Sequence, residues 1–458
     1  MSPLTNAQTR DVETLIHPYT NLDAHRGEGP TILESGKGIY VHDTDGKQYI
    51  EGMAGLWCTS LGYGNEELIE TAREQLSKLS FTHLFGGKSH DPAIALAEKL
   101  KEISPAPASK IFFTCSGSEA NDTQIKLAWY YNNARGLPEK KKIISRQRGY
   151  HGVTIATASL TGLPANHADF DLPIDRILHT ACPHHYRNAQ DGESKENFST
   201  RLANELDELI QQEGPDTIAA FIAEPVMGAG GVIIPPEPYF AKIQAVLAKY
   251  DILFIVDEVI CGFGRTGNMF GSQTYDLKPD TISVAKAITS AYSPLGAVTV
   301  SEDVYQAMLD ESRKIGTFGH GYTYSGHPLS TAIGLKTLEI YERDNIVGQV
   351  QSVAPIFQSR LNALSSHPLV GEARGIGLIG AVELVADKAS RTPFDPKLGA
   401  AAHASQMCQE EGLITRAIFG DALALCPPLI ITEQQTHEMF DALERGLERS
   451  LDVLKVGA

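Results

Sequence analysis

Short, largely apolar segments recur through the middle of the chain, and helix-like segments separate them. Such segments lack the strict alternation of a half-exposed strand, so they predict strands buried on both faces, as in a mostly parallel sheet covered by helices. They are KIFFTC (110–115), KKIISR (141–146), TIAAFIA (217–223), ILFIVDEV (252–259), TISVA (281–285) and GAVTVS (296–301). The pattern predicts an α/β fold built on one large sheet.

The length of 458 residues exceeds what one hydrophobic core usually serves, which favours two domains. The segments above place a large α/β domain over 66–325. Before it, YVHDTDGKQYIEG (40–52) is typical of a hairpin with its turn at Asp45-Gly46. After about residue 325 the pattern changes to long amphipathic helices. We therefore expect residues 1–65 and 326–458 to join in a smaller α+β domain.

Charge and composition exclude several classes of protein. The net charge of −17 argues against binding to nucleic acid or to anionic membrane surfaces. No apolar run approaches the roughly 18 residues that span a bilayer, and the first twenty residues lack the basic start and apolar core of a signal peptide. Six scattered cysteines without a C-x-x-C pair indicate reduced thiols, so we predict a cytoplasmic protein. CPHHY (182–186) has no second cluster of ligands, so no metal site is predicted.

A G-x-G-x-x-G sequence, Gly262 to Gly267, raises the alternative of a dinucleotide-binding turn. That motif must open a helix, and an acid that holds the ribose must follow about twenty residues later. The next residues, NMFGSQTYDLKPD, show no helical periodicity, and Asp276 and Asp280 come too early. We interpret these glycines as shaping an irregular loop. A nucleotide-binding oxidoreductase stays only as the alternative from a different class of enzyme.

Two chemically unusual side chains follow predicted strands and would meet at the carboxyl edge of the sheet. Asp257 ends an apolar segment, where a buried carboxylate requires a cation or a protonated ring nitrogen unless it merely caps a loop. Lys286 follows TISVA among small residues. It either extends to solvent or, if desolvated, has a depressed pKa and can form a Schiff base.

A third feature is the turn Ser116-Gly117-Ser118 before a predicted helix, with Ser116 and Glu119 at capping-box spacing. A cap alone explains Ser116 and Glu119, whereas a helix N-terminus with free hydroxyls also binds phosphate. Pyridoxal 5′-phosphate needs all three features at once. Its phosphate needs donors, its aldehyde needs a lysine amine, and its ring nitrogen needs a carboxylate to stay protonated. The combination predicts an enzyme that uses pyridoxal 5′-phosphate.

The chain resembles the class III (ω-) aminotransferases of fold type I, in stretches that occur in the family's order from about residue 20 onward. These stretches are MAGLWC, FFTCSGSEANDT, RGYHGVT, AFIAEPVMGAGGVI, DILFIVDEVICGFGRTG, SVAKAITSAYSPLGAV, HGYTYSGHP, LVGEARGIGLIGAVEL and GLITRA. The resemblance implies a mostly parallel, seven-stranded sheet in a large domain, beside a smaller α+β domain. Within the family the chain is most similar to enzymes that use pyruvate with putrescine, other ω-amines, taurine or β-alanine.

The resemblance also assigns contacts to the cofactor. Lys286 would form the Schiff base and later shuttle the proton, and Asp257 would pair with the pyridine nitrogen. Thr323 resembles the residue that reaches the phosphate from the neighbouring subunit, which implies a homodimer with shared active sites, alone or within a tetramer. Tyr150 would stack on the ring and Val259 would pack on its opposite face. The remaining implied contacts are the phosphate cup Ser116, Gly117 and Ser118, together with His151 and Glu224.

For the substrate, the resemblance implies an aromatic pocket of Trp57, Phe85 and Tyr150, with Ala229 leaving space for a small molecule. Core packing is the alternative for Trp57 and Phe85. Arg416 resembles a mobile arginine that pairs with the carboxylate of the acceptor and swings away for a donor without one. A surface salt bridge is the alternative for this arginine.

The expected activity is transamination of a primary ω-amine to an aldehyde or ketone, with pyruvate as the amino acceptor. Ping-pong kinetics through pyridoxamine phosphate should follow. Aminomutases and racemases of the same fold are alternatives, which release of a keto product in the presence of pyruvate would separate from an aminotransferase. A non-catalytic scaffold is a further alternative, but it would not need the lysine, the acid and the phosphate turn together.

Overall fold

The computed structural model describes residues 4–454, so residues 1–3 and 455–458 of the two predicted terminal segments lie outside the described residues. Its α-helices are α1 Asn6–Thr14, α2 Leu22–Glu28, α3 Ala54–Trp57, α4 Glu66–Lys78, α5 Asp91–Ile103, α6 Gly117–Ala134, α7 Ile155–Leu160, α8 His185–Asn188, α9 Lys195–Glu213, α10 Tyr239–Lys249, α11 Gly271–Thr274, α12 Glu302–Ile315, α13 Pro328–Arg343, α14 Ile346–Ala363, α15 Ala400–Glu410 and α16 Glu433–Leu454. Short 3-10 helices span Phe85–Gly87, Pro164–Asn166, Pro215–Thr217, Lys286–Thr289, Leu364–Ser366 and Pro396–Leu398. The strands are β1 Leu33–Lys37, β2 Tyr40–Asp43, β3 Gln48–Glu51, β4 Lys110–Thr114, β5 Lys142–Arg146, β6 Ile177–Thr180, β7 Ile218–Ala223, β8 Leu253–Asp257, β9 Thr281–Val284, β10 Gly296–Val300, β11 Val370–Ile376, β12 Ile379–Leu384, β13 Leu413–Ile414, β14 Arg416–Ile418 and β15 Ala422–Leu425.

The largest sheet has seven strands in the order β4-β10-β9-β8-β7-β5-β6. Five of them, from β9 to β6, run parallel, whereas β10 is antiparallel to both β4 and β9. All six segments predicted as strands belong to this sheet. The seventh strand, β6, has the sequence ILHT, which is too short and too polar to be predicted. The prediction of an α/β fold with a mostly parallel seven-stranded sheet is confirmed.

Helices on both faces of this sheet explain why its central strands are apolar at every position. Every residue of β7 is buried. Phe221 of β7 shares a hydrophobic cluster with Phe198 of α9 and Phe240 of α10. The next residue, Ile222, shares a different cluster with Ile125 of α6. Successive side chains therefore enter opposite cores, which is the arrangement that the uninterrupted apolar runs predict.

The other two sheets have four strands each, which come from segments before and after the large sheet. In the first, β2 and β3 form the predicted hairpin, and Gly46 in the turn has a φ of 81°. The C-terminal strand β13 pairs in parallel with β3, so segments from both ends of the chain share this sheet. The third sheet, in the order β11-β12-β15-β14, is antiparallel. The domain bounds 1–65, 66–325 and 326–458 stay a prediction.

The glycine-rich segment Gly262–Gly267 is a buried, irregular turn. Arg265 Nη1 within it donates hydrogen bonds to the carbonyl oxygens of Leu378, at 2.9 Å, and Pro427, at 2.6 Å. The only helix that follows the turn closely, α11, has four residues. The turn therefore packs against the C-terminal part of the chain and does not open a dinucleotide-binding helix. Between residues 4 and 454, no helix has both the length and the apolar character that crossing a membrane requires.

Candidate active site

The candidate active site lies at the carboxyl edge of the seven-stranded sheet. Asp257 is the last residue of β8, the fourth of the seven strands. Glu224 directly follows β7, and Lys286 follows β9 after one intervening residue. The side chains of all three line a single cavity of about 440 Å³. Ligands of open α/β sheets bind at this edge, so the topology brings the predicted groups together.

Asp257 is buried, and three donors fix its carboxylate. Oδ2 accepts from Nδ2 of Asn121 at 2.7 Å and lies 2.8 Å from Nδ1 of His151. Oδ1 accepts from the backbone N–H of Val259 at 3.0 Å. No lysine or arginine forms a salt bridge with it within the described part of the chain. The carboxylate is thus held in one orientation beside the cavity, where a protonated ring nitrogen would complete its charge balance.

Asn121, which the sequence analysis does not single out, connects this carboxylate to the loop that carries His151. Besides Asp257, its Nδ2 contacts the carbonyl oxygen of His151 at 2.9 Å. Oδ1 of Asn121 and Nε2 of His151 are buried and lack hydrogen-bond partners among residues 4–454. Buried polar atoms are usually paired, so these two mark positions where a bound group or water completes the site.

Lys286 opens the 3-10 helix after β9 with a φ of 53°, a conformation that is uncommon for a residue with a side chain. Burial lowers the pKa of its amine, and the nearby Asp257 carboxylate partly opposes this shift. The side chain enters the cavity, which excludes the alternative of a lysine that only extends to solvent. A lowered pKa increases the fraction of neutral amine, the form that attacks an aldehyde.

The turn Ser116-Gly117-Ser118 forms the N-terminus of the 18-residue helix α6. The Ser116 hydroxyl caps the helix by accepting from the N–H of Glu119 at 3.1 Å. The Ser118 hydroxyl accepts from the N–H of Val153 at 3.2 Å. Gly117 and Ser118 line the main cavity, whereas Ser116 lines an adjoining cavity that shares Gly117 and Lys286 with it. Free N–H groups and hydroxyls at this helix start can hold a phosphate.

Two residues that the resemblance assigns to opposite faces of the ring, Tyr150 and Val259, both line the cavity. Burial raises the pKa of the Tyr150 phenol, which therefore stays neutral. The Tyr150 backbone N–H donates to Oε1 of Glu224 at 3.0 Å. Oε2 of Glu224 accepts from the N–H of Gly228 at 2.9 Å, and burial raises the pKa of this carboxyl. Glu224 thus joins the loop of Tyr150 to the loop that carries Ala229.

Glu258, the second acid after the β8 segment, has a different environment from Asp257. It is fully buried and accepts from the N–H groups of Gly271, at 2.9 Å, and Ser272, at 2.6 Å, and from the Ser272 hydroxyl. Burial raises its pKa to about 7. Glu258 does not line the cavity and holds the start of α11, so its role in the fold is structural.

Among the predicted substrate contacts, Trp57, Ala229 and Arg416 line the cavity together with Tyr150. Trp57 is also 97% buried in a cluster of core residues, so it both packs in the core and lines the cavity. Phe85 and Thr323 do not line the cavity of a single chain, and both are exposed. Their predicted roles stay predictions, because one chain alone does not test them.

Tyr19 and Phe419 also line the cavity, although the sequence analysis does not single them out. Tyr19 lies between α1 and α2 with a φ of 52°, and its hydroxyl accepts from Nδ2 of Asn166 at 2.7 Å. Phe419 follows β14 in the turn before β15. Both occur in irregular segments far in sequence from the β8 region, where no periodicity marks a residue as part of a site.

The residues fit pyridoxal 5′-phosphate. A helix start with two serines matches its phosphate, and a lysine that lines the cavity matches its aldehyde. A carboxylate held in one orientation matches its ring nitrogen. Gly117 gives this turn its close approach to Val259, because a Cβ atom there would lie 3.0 Å from the Val259 side chain. A side chain at position 117 would therefore press against Val259 unless Val259 shifts.

Known proteins are similar to this chain in sequence and in fold. The family Aminotransferase class-III matches residues 23–447. The chloroplastic γ-aminobutyrate transaminase 3 of Solanum lycopersicum is 52% identical over 420 residues, which are 92% of this chain and 81% of that protein. The crystal structure of the ω-transaminase of Pseudomonas jessenii in complex with PMP has a TM-score of 0.97 and 51% identity, and covers 99% of this chain and 100% of its own. A transaminase structure with L-alanine has a TM-score of 0.91 and 57% identity, and covers 92% of this chain and 100% of its own.

These matches confirm the resemblance that the sequence motifs indicate. They extend over nearly the whole chain, and the similar proteins resemble it in fold as well as in sequence. The chain therefore belongs to the class-III aminotransferases, and it is a pyridoxal phosphate-dependent enzyme of fold type I.

Proposed function

We propose that the enzyme transfers the amino group of a primary ω-amine to pyruvate, in two half-reactions with ping-pong kinetics. The observation that carries this proposal is Arg416, which lines the same cavity as Lys286. Burial lowers the pKa of its guanidinium, and the neighbouring groups that oppose this shift are the Tyr150 and Tyr19 phenols. A half-buried guanidinium that pairs with no carboxylate among residues 4–454 supports a substrate that brings a carboxylate, as a keto acid does.

The relatives support the same pair of substrates. γ-Aminobutyrate carries its amino group on the terminal carbon, and the enzymes named for it and the enzyme named ω-transaminase are both similar to this chain. Alanine is the product of pyruvate amination, and a transaminase solved with L-alanine is 57% identical. An ω-amine donor and pyruvate as the acceptor agree with both names.

Each residue of the site has a defined task in this proposal. The bound cofactor supplies the electron sink for the reacting carbon and carries the amino group between the half-reactions. Nζ of Lys286 accepts the proton that leaves the donor carbon, a task that its lowered pKa favours. Asp257 would hold a proton on the ring nitrogen, and His151 and Asn121 hold Asp257 in place. The turn 116–118 would hold the phosphate, and Tyr150 and Val259 would hold the ring between them.

Absorbance spectra between about 300 and 500 nm test this proposal in the reconstituted protein. We expect a visible band that putrescine bleaches and that pyruvate restores. In Lys286→Ala, after reduction and washing, the band should be absent. The control is Lys278→Ala, because that side chain is 77% exposed and, among residues 4–454, forms a salt bridge only with Asp276. A protein that binds the cofactor but never bleaches with any ω-amine would contradict the proposal and favour a mutase or racemase.

We also propose a homodimer whose two subunits share their active sites. Phe85, Phe81 and Tyr324 are large, exposed side chains on neighbouring segments, with the rings of Phe81 and Tyr324 5.7 Å apart. Gly321 lies against Phe85, since a Cβ atom at Gly321 would be 3.0 Å from its ring. Thr323 is exposed in the same region. An exposed apolar surface of this kind supports an interface with a second copy, which would bring Phe85 and Thr323 to the cavity of the other chain.

Mixing two inactive variants tests this arrangement. Lys286→Ala and a Thr323→Asp variant should each be poorly active alone. In a mixed dimer, one site would combine Lys286 from one chain with Thr323 from the other, so activity should return to about a quarter of the wild-type value after random exchange. Activity that never exceeds that of the separate variants, although mixed dimers form, would contradict a shared site.

For localisation, we propose the cytoplasm. All six cysteines are unbridged, as expected for a reducing compartment. Curated relatives are named as chloroplastic or mitochondrial enzymes, so an organelle is the competing location. Fractionation of the source cells with an antibody against this chain distinguishes the two, and recovery only in an organelle would refute the proposal.

A further inference from the structure

Arg148 is a half-buried residue that contacts two of the loops bordering the cavity. Nε donates to the carbonyl oxygen of Gly230 at 2.9 Å, next to Ala229. Nη2 donates to the carbonyl oxygen of Phe419 at 3.1 Å. Phe419 belongs to the turn that ends β14, the strand whose first residue is Arg416. A single guanidinium therefore joins the loop of Ala229 to the hairpin that carries Arg416.

The guanidinium is held from the opposite side by a buried histidine. Nη1 of Arg148 lies 3.1 Å from Nδ1 of His184, and since arginine only donates, this nitrogen accepts. The imidazole proton then resides on Nε2, which lies 2.8 Å from Oε2 of Glu372. Glu372 in turn accepts from Nη1 of Arg374 at 2.7 Å. Burial lowers the pKa of His184, which favours the neutral form that this contact requires.

The backbone of two glycines lies close to the guanidinium of Arg148. A Cβ atom on Gly231 would lie 2.7 Å from Nη2, and one on Gly420 would lie 2.9 Å from it. Gly420 also has a φ of 86°. The guanidinium carbon stands 4.9 Å from the centre of the Phe419 ring. The main chain of the turn thus lies directly against the guanidinium, and the positive φ of Gly231, 133°, and of Gly420 favours glycine at both close approaches.

We propose that Arg148 is a positioning residue for the acceptor: it fixes the turn after β14 so that Arg416 presents its guanidinium to the carboxylate of the keto acid. This inference rests on the proposed function, in which Arg416 binds the acceptor. β14 has three residues and pairs only with β15 in the third sheet, so the turn depends on contacts outside its own hairpin. Arg148 supplies two of them, one hydrogen bond and one cation–π contact.

The test compares Arg148→Met and Arg148→Lys with a control from the same polar network, Arg187→Met. Arg187 bonds to Glu383 and to the carbonyl oxygen of Arg391, and it contacts neither Gly230 nor Phe419. Single-turnover experiments on the holoenzyme measure the putrescine half-reaction and the pyruvate half-reaction separately. Loss of a hydrogen bond to a charged group predicts a roughly tenfold weaker apparent affinity for pyruvate in Arg148→Met. The putrescine half-reaction should change less than about twofold, and lysine should restore part of the loss.

A double variant shows whether Arg148 acts through Arg416. Adding Arg148→Met to Arg416→Met should weaken pyruvate binding by less than about a further twofold, because the shared interaction is already lost. Equal losses in both half-reactions, or an additive loss in the double variant, would overturn the proposal. So would an unchanged affinity for pyruvate in Arg148→Met.

Hydrogen exchange separates this inference from the proposed function. In Arg148→Met, backbone amides of residues 416–421 should exchange faster than in wild type, and in Arg187→Met they should not. A wild-type enzyme that does not use pyruvate would refute the proposed function, while faster exchange in Arg148→Met would still establish the contact. Unchanged exchange in an otherwise folded Arg148→Met would overturn the inference, whatever the acceptor. Arg148→Lys serves for both measurements if the methionine variant does not fold.

Discussion

Replacement of Asn121 by leucine tests whether this buried amide supports the proposed role of the Asp257 carboxylate or only the fold. The substitution removes the hydrogen bond to Oδ2 of Asp257 at 2.7 Å and the one to the His151 carbonyl at 2.9 Å. Leucine has a similar volume, so no large cavity forms. The bond to the carboxylate is charge-assisted and contributes about 1.5–3 kcal/mol, whereas the bond to the carbonyl contributes about 1 kcal/mol.

The two losses predict different effects. Without Asn121, the carboxylate of Asp257 keeps two of its three donors, and its negative charge beside the cavity is less well stabilised. A loss of about 1.5–3 kcal/mol at this carboxylate corresponds to a decrease of roughly 10- to 150-fold in the rate of the amine half-reaction. The free energy of unfolding of the cofactor-free protein should also decrease, by about 2.5–4 kcal/mol, because both bonds are lost.

Single-turnover absorbance with putrescine measures the rate, and denaturant unfolding measures the stability. Asn132→Leu is the matched control, because Asn132 is equally buried in α6 and donates one bond, at 2.8 Å, to the Ala128 carbonyl. It should lose stability and keep the rate. If Asn121→Leu also loses stability and keeps the rate within about twofold, then Asn121 supports only the fold and the reasoning on Asp257 is wrong.

Three further predictions concern the acceptor, the phosphate turn and the response to acid. Arg416→Met should weaken binding of pyruvate roughly 100-fold and leave the putrescine half-reaction nearly unchanged, because only the acceptor brings a carboxylate. Stopped-flow traces in which both half-reactions slow equally would contradict this prediction. Gly117→Ala places a Cβ atom 3.0 Å from Val259 and should weaken cofactor binding by about tenfold, as measured by absorbance titration. An unchanged affinity for the cofactor would show that Val259 moves aside. Burial and Lys126 lower the pKa of His320 from 6.5 to about 4, so the unfolded chain binds its proton first as the pH falls. The free energy of unfolding should therefore decrease below pH 6.5, by on the order of 2 kcal/mol at pH 4 after solvent screening. Denaturant unfolding of His320→Gln should lack this part of the pH dependence, and a pH dependence identical to that of wild type would refute the role of His320.

The parts of the molecule that sequence alone predicts are those with a regular period or a chemically costly residue. β7 and β8 are predictable because burial on both faces demands an unbroken apolar run. Asp257 and Lys286 are predictable because a charged group beside such a run is expensive to bury without a function. The family resemblance then supplies a prediction for Arg416, which the spacing of the sequence does not indicate.

The parts that sequence does not predict depend on tertiary geometry. Asn121 is one polar residue among several in α6, and nothing local distinguishes the one that faces Asp257. Tyr19 reaches the cavity from an irregular segment about 240 residues before Asp257. Arg148 lies two residues before Tyr150, yet its contacts to Gly230 and Phe419 join segments that no pattern relates.

The parallel pairing of β3 with β13 has a consequence for the synthesis of the protein. Ile50 pairs with Leu413, roughly 360 residues later in the chain. At about 5–20 residues per second, a ribosome needs on the order of 20 to 70 s to make that interval. During this time the hairpin of β2 and β3 has emerged, but the free edge of β3 has no partner. A nascent chain, or one truncated before residue 413, therefore exposes a strand edge that chaperones must protect or that other chains can pair with.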